Sequence, residues 1–137
     1  MSAKRIRARA FTLIELLLVT VILVVLASVV VPQFARRPDD ARRAVAKVDI
    51  KMLETALAAF QIDCGRFPTN DEGLAVLVKN PGLDGWRGPY VKLVPNDPWG
   101  TPYIYQAPGT NLPDSFDLYS LGRDKQEGND DIANWQS

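Results

Sequence analysis

At 137 residues, with 16 basic and 16 acidic side chains and zero formal net charge, the chain has room for one soluble domain of roughly 100 residues beside a membrane segment. It has no histidine, which removes the commonest general base and metal ligand, and its single cysteine, Cys64, cannot close an internal disulfide. No Walker-type loop, G-x-S-x-G or HExxH occurs, so hydrolytic enzyme classes begin with no motif behind them.

The charge is unevenly placed. Lys4, Arg5, Arg7 and Arg9 precede an apolar run with no acid among them, and the positive-inside rule then puts the N-terminus in the cytoplasm and the remainder across the membrane. Arg36, Arg37, Arg42 and Arg43 on the far side pull against that orientation. Between them, residues 11–31 carry only Thr12, Glu15, Thr20 and Ser28 as polar side chains. As a helix this run is about 31 Å long, against a bilayer core of about 30 Å. A secretory signal peptide is the competing reading. The run is long for an h-region, contains Glu15, and lacks a clean A-x-A site after it.

A plain membrane anchor fits the length and leaves Glu15 unexplained. A carboxylate in such a helix costs roughly 2.5–3.5 kcal/mol at the bilayer centre and less near an end. No Lys or Arg lies within residues 11–31 to pair with it. A cut after Ala10 would free the α-amine of Phe11, four residues or one helical turn before Glu15. The amine of a neighbouring copy would serve as well, and Glu15 would then fix the register between subunits.

Past Pro32 and "RRPDDARR", Val45, Val48, Met52, Ala56 and Ala59 or Phe60 recur at helical spacing, which predicts a helix burying that face. The simplest architecture is one long helix, kinked or locally broken at Pro32 and Pro38. It ends near "DCGRFP", where Gly65 and Pro68 supply stop signals. Pro32 either lets the helix bend or melt locally or marks an ordinary interfacial kink. Cys64 reads as a small buried hydrophobe.

"TNDEGLAVLVKNPG" predicts a short helix opened by a capping box between Thr69 and Glu72. "DGWRGPYVKLVPNDPWGTPY" is too rich in Gly and Pro for long regular elements. "PYIYQ" and "SFDLYSL" are strand candidates separated by the turn-rich "APGTNLPD". The expected fold class is therefore α+β: a long N-terminal helix, membrane-spanning then amphipathic, packed on a small antiparallel sheet with a loop-rich C-terminal region. Trp86, Tyr90, Trp99, Tyr103, Tyr105 and Tyr119 are expected to fill the space between helix and sheet. From Asp114 onward there are six acids against Arg123 and Lys125. "LGRDKQEGNDDI" gathers Asp124, Glu127, Asp130 and Asp131 around Gly128, oxygen donors that suit Ca²⁺ in a spacing that is not an EF-hand. A solvated acidic loop is the alternative reading of the same residues.

"RARA-FTLIE", followed by the apolar helix and Pro32, resembles the prepilin leader of type IV pilins and type II secretion pseudopilins. "CGRFPTNDEGLAVLV", "WRGPYVKLVPNDPWGTPYIY" and "FDLYSLGRDKQEGNDDIANW" extend the resemblance to the major pseudopilin, or protein G, family of the type II secretion system. The resemblance implies a type IV pilin-like fold and cleavage between Ala10 and Phe11 by a prepilin peptidase, which N-methylates Phe11. Ala10 stands where the family usually has Gly. It also implies a role for Glu15 in subunit assembly and Ca²⁺ in the C-terminal loop. The side chains of Asp124 and Asp131, with Asp130 and the carbonyls of Leu121 and Ile132, are then the expected ligands.

On this reading residues 1–10 are the leader, 11–31 a transmembrane helix, 32–64 its amphipathic continuation, and 65–137 a periplasmic globular domain with the acidic loop. The implied function is a structural, non-enzymatic subunit of the pseudopilus. It would sit in the inner membrane as a single-pass protein with a cytoplasmic N-terminus, then polymerise into a periplasmic filament that drives export of folded proteins. Its implied partners are itself, minor pseudopilins, the peptidase, and an inner-membrane platform with a cytoplasmic ATPase; nucleic acid is not among them. Within the class the alternatives are a type IV pilin or a minor pseudopilin. From another class comes a non-polymerising, membrane-anchored periplasmic binding domain. An enzyme comes last, since Asp130 and Asp131 belong to no recognisable acid–base constellation.

Overall fold

The computed structural model describes residues 10–136, and for the segment 30–37 the backbone only. The basic leader positions Lys4, Arg5, Arg7 and Arg9 and the side chains of Pro32, Arg36 and Arg37 lie outside the described residues. The chain divides into two units, Met1–Pro38 and Asp39–Ser137. Helix α1 (Leu13–Cys64) contributes to both, and it carries Pro32 and Pro38 within it rather than ending at either.

In the first unit, Thr12 precedes α1 and its hydroxyl accepts the Glu15 N–H at 3.2 Å, an N-terminal cap of ordinary kind. Every apolar side chain from Phe11 to Val29 is exposed, Leu13 by 90%. The hydroxyls in this stretch bond back to their own helix. Thr20 donates to the carbonyls of Leu16 and Leu17, and Ser28 to that of Val25. No polar hydrogen is thus left facing outward from them. Among the described residues no helix is long and apolar enough to cross a membrane. The described side chains of the apolar run stop at Val29, so residues 13–29 account for about 26 Å of helix.

In the second unit α1 turns Ala46, Ile50, Leu53, Ala56, Leu57 and Phe60 inward, all buried. This corrects the face expected from periodicity. Ala56 and Phe60 are buried as expected, but Val45, Val48 and Met52 are 52%, 68% and 41% exposed. Two apolar stripes at spacings of three and four run along this helix. The one bearing Ile50, Leu53, Leu57 and Phe60 supplies more burial per residue, and it is the one the domain covers. The helix stops at Gly65, whose φ of 73° takes it out of the right-handed region and whose N–H donates to the Gln61 carbonyl at 2.8 Å.

Thr69 and Glu72 form the expected reciprocal pair: the Thr69 N–H donates to Glu72 Oε2 at 2.8 Å, and the Glu72 N–H donates to the Thr69 hydroxyl at 3.3 Å. The element they open is a 3-10 helix, Gly73–Leu77, five residues long and shorter than the predicted helix. Gly73 has φ 57°, which breaks the right-handed run one turn after the box. Leu74, Val76 and Leu77 still reach the core.

Three strands make the sheet: β1 (Ile104–Gln106), β2 (Asp117–Ser120) and β3 (Ile132–Ala133), antiparallel in that order. Tyr105 lies opposite Leu118, and Ser120 opposite Ile132. β1 and β2 lie within the two predicted segments, while β3 is additional to them. Only two residues long, it is recruited by the pairing edge of β2. Phe116, Leu118 and Ile132 meet the inner stripe of α1 in one core. Tyr103 and Tyr119 are buried, while Trp86, Tyr90, Trp99, Tyr105 and Cys64 are half-buried against that core. The aromatic hydroxyls also pin elements together. Tyr103 donates to Asp49 and Tyr90 to Asp63, both on α1 and both at 2.8 Å.

Leu53→Ala should cost about 2–5 kcal/mol of unfolding free energy, since it opens a cavity in a closed core. Val48→Ala should stay within about 0.5 kcal/mol. Urea melts of both variants distinguish the buried stripe from the exposed one, and equal losses would reverse the assignment.

Arg66 grips Glu72 with two bonds, Nη1 to Oε2 at 2.7 Å and Nη2 to Oε1 at 2.8 Å. The bonds from Arg66, and after them the Thr69 N–H, pull the Glu72 carboxyl from 4.5 down to about 2. A folded value below the unfolded one means stability present above pH 4.5 and lost as pH falls toward 2. Glu72→Gln should therefore lower stability by about 1 kcal/mol at neutral pH, the pair being partly open to solvent. The gap to the wild type should close across that acid window in pH-dependent melts.

Candidate functional site at the helix start and the acidic loop

The two sets of expected site residues lie in different units. At the start of α1, Ala10 and Phe11 are exposed and precede the first helical residue, and Glu15 falls in the first turn. An acid here is favoured by the positive end of the helix dipole. Among the described residues no group donates to the Glu15 carboxylate; the residue's bond to Thr12 is made by its backbone N–H.

The acidic loop lies between β2 and β3, and its two ends face one another. Gly122 is buried at φ 69°, and a Cβ placed there would lie 3.0 Å from the Asp130 carbonyl and 3.1 Å from its Oδ2. Only a residue without a side chain lets the two ends approach this closely. Lys125, at φ 59°, turns the tip. Arg43 of α1 reaches across to donate from Nη1 to the Asp130 carbonyl at 3.0 Å. On the outer side the Tyr119 hydroxyl donates to Glu127 Oε1 at 2.8 Å. Burial, then the bond to Glu127, raises the Tyr119 phenol to about 12.

The expected ligands are distributed unevenly along this loop. Leu121 and Asp130 are half-buried, Asp131 and Ile132 are buried, and Asp124 is exposed with its Oδ1 accepting the Gln126 N–H. Asp131 Oδ2 accepts the Gly128 N–H at 3.2 Å, whereas its Oδ1 is buried without a hydrogen-bond partner. Burial raises the Asp131 carboxyl above the usual range, opposed by that N–H and reinforced by the charges of Asp130, Asp124 and Glu127. Among the described residues no three acidic groups converge closely enough to hold a metal ion. The loop nevertheless fits a hard cation chemically. Its donors are all oxygen, one buried carboxylate oxygen lacks a donor, and three further carboxylates act on it electrostatically.

Two supports of this loop escape a reading of the sequence alone. Ser120, fully buried at the end of β2, donates its hydroxyl to Asp97 Oδ2 at 2.5 Å and accepts the Gly122 N–H at 3.1 Å. Asp97 is itself buried, and its Oδ1 accepts the N–H groups of Trp99 and Thr101. "NDPWGT" carries a turn signal that could have located Asp97. Nothing local marks Ser120 or Arg43, whose partners lie 23 and 87 positions away. Away from this loop, Asp117 ties the turn before β2. Burial works against its charge, but donors from Asn111, Leu112 and Thr110 hold the carboxyl below the usual range.

A long helix bearing one small antiparallel sheet, with exposed apolar residues at its start, defines a type IV pilin-like subunit. Residues 5–31 match the prokaryotic N-terminal methylation motif, and residues 33–135 match type II secretion system protein G. The chain belongs to the type II secretion system protein G family. It is 48% identical to the type II secretion system core protein G of Pseudomonas aeruginosa, over 98% of this chain and 99% of that one. The Klebsiella pneumoniae protein of the same name is 41% identical over 94% and 95%. The crystal structure of the major pseudopilin of the type 2 secretion system of enterohaemorrhagic Escherichia coli is similar at a TM-score of 0.65 and 33% identity. That match covers 73% of this chain and 87% of that one. This is a family of structural subunits and not of enzymes.

Proposed function

We propose that this chain, a structural subunit of the type II secretion pseudopilus, is processed between Ala10 and Phe11, stored in the inner membrane, and polymerised through its N-terminal helix. The observation that carries the reading is the methylation motif over residues 5–31 joined to a helix whose apolar side chains are all exposed from Phe11 to Val29. Such a surface is satisfied by lipid before assembly and by neighbouring helices afterwards. One contact repeated without closing generates a helical filament.

Glu15 supplies the register. Its carboxylate is costly in hydrocarbon, and the methylated amine of Phe11 on the next subunit compensates it only when the helices are staggered correctly. The globular unit lies in the periplasm, and the growing filament drives folded proteins outward. Energy comes from a partner ATPase acting through an inner-membrane platform, since the chain has no nucleotide-binding motif. Minor pseudopilins complete the assembly.

Intact mass of the protein extracted from its native membrane should lack residues 1–10 and carry one added methyl group. Glu15→Ala should be processed and inserted equally well but yield no filaments. A full-length unmethylated mass would return the chain to the class of simple anchored binding domains, and normal filaments from the variant would remove the register role of Glu15.

The acidic loop, in this reading, holds Ca²⁺ through the side chains of Asp124, Asp130 and Asp131 and the carbonyls of Leu121 and Ile132. When bound, the ion neutralises the crowded carboxylates and closes a loop that no disulfide secures. Asp131 Oδ1, buried and without a partner, is the donor that most needs it. Calcium at about 100 times its Kd should stabilise the wild type by about 2.7 kcal/mol. Asp124→Ala with Asp131→Ala should abolish that increment, read as melting temperature with and without chelator. An unchanged wild-type melt would reject the ion.

A further inference from the structure

We infer that Asp97 and Ser120 are positioning residues for the cation site, and that they act by holding the Leu121 carbonyl in place; this rests on the calcium reading of the acidic loop. Neither residue is among the expected ligands. Asp97 is 4% exposed and is locked by its own turn, since its Oδ1 accepts from the Thr101 N–H at 2.7 Å and the Trp99 N–H at 3.1 Å. Its backbone N–H donates to the Thr101 carbonyl at 2.8 Å, and its carbonyl accepts from Gly100 at 2.9 Å. Residues 97–101 thereby form a closed knot, and the remaining oxygen, Oδ2, is aimed at the Ser120 hydroxyl.

That bond fixes which way the serine hydroxyl points. With its hydrogen committed to Asp97, the Ser120 oxygen is left as an acceptor, and it receives the Gly122 N–H. The Leu121 peptide is thus bracketed: Ser120 is anchored on one side and Gly122 on the other. Ser120 also stands opposite Ile132 in the β2–β3 register, so one buried residue adjoins both residues whose carbonyls are the expected ligands. Gly122 in turn lies against Asp130. Metal affinity depends on such outer supports, whose loss costs about 10- to 100-fold.

Calcium titration calorimetry on the full-length protein in detergent tests this. Ser120→Ala leaves Asp97 Oδ2 and the Gly122 N–H without their shared partner, and should weaken calcium binding by about 10- to 100-fold. Asp97→Asn keeps the size and the turn but presents an N–H₂ group to the serine. It should weaken binding in the same direction, and it carries the test if Ser120→Ala does not fold. Tyr90→Phe removes the bond to Asp63, remote from the loop, and serves as the stability control. Its melting temperature should drop while its calcium affinity stays at the wild-type value. Wild-type affinity in folded Asp97→Asn and Ser120→Ala would overturn the inference and leave the calcium reading standing. Equal weakening in Tyr90→Phe would also overturn it, by reducing the effect to general stability. No calcium binding by the wild type would remove both.

Discussion

A small domain can cover only one face of a helix, and α1 is apolar on more than one. Within Asp39–Ser137 the sheet and the 3-10 helix cover Ala46, Ile50, Leu53, Leu57 and Phe60 and leave Val45, Val48 and Met52 in the open. Within Met1–Pro38 no described side chain is covered at all. At about 25 cal/mol per Å² of apolar surface, an exposure of this extent is a standing drive toward lipid or toward another copy. The hydroxyls of Thr20 and Ser28 are already satisfied along their own helix, so they place no polar demand on whatever covers it. Among residues 11–29 Glu15 carries the one charge, which lipid does not satisfy as it does the apolar groups around it.

The globular unit meets the opposite difficulty, too little regular structure. Strands of three, four and two residues supply few ladder bonds, and one cysteine supplies no cross-link. Buried side chains take over the backbone groups that a larger sheet would have paired. Asp117 accepts from the backbone N–H groups of Thr110, Asn111 and Leu112. Asn134 accepts from the Leu118 N–H and donates to the Phe116 carbonyl. Asp97 holds the 97–101 turn in the same manner. Each such bond satisfies a backbone group that would otherwise cost about 1–3 kcal/mol if buried alone. Asp97 and Asp117 are thus structural aspartates, whereas Asp131, like Asp39, keeps one buried carboxylate oxygen without a partner.

This division explains which parts are legible in the sequence. Local chemistry is: Gly65 ends α1, Thr69 and Glu72 close their box, and β1 and β2 fall where alternation and turns put them. The N-terminal motif is legible too, because the residues that carry it stand close together in the sequence. The buried face of α1 is not, since two stripes share the same period and only the sheet decides between them. β3 has two residues and no pattern of its own. Ser120 and Arg43 acquire their roles from partners far along the chain, which no local spacing encodes.

The acidic loop is where local chemistry and distant support meet. Its mouth is held by three elements at once: Arg43 of α1 on the Asp130 carbonyl, Ser120 of β2 on the Gly122 N–H, and Asp97 behind Ser120. Loop closure alone is an entropic cost that grows slowly with length, and four carboxylates in a short span add repulsion to it. The fixed mouth offsets the entropy but does nothing for the repulsion, which falls on the buried Asp131. Protonation or a cation can relieve it, and only a cation also uses the free oxygen as a donor. The frame that hydrogen bonds have already built is where such an ion's backbone ligands would stand, so on the calcium reading the loop's affinity would rest on buried Asp97 and Ser120 as well as on the acids at its surface.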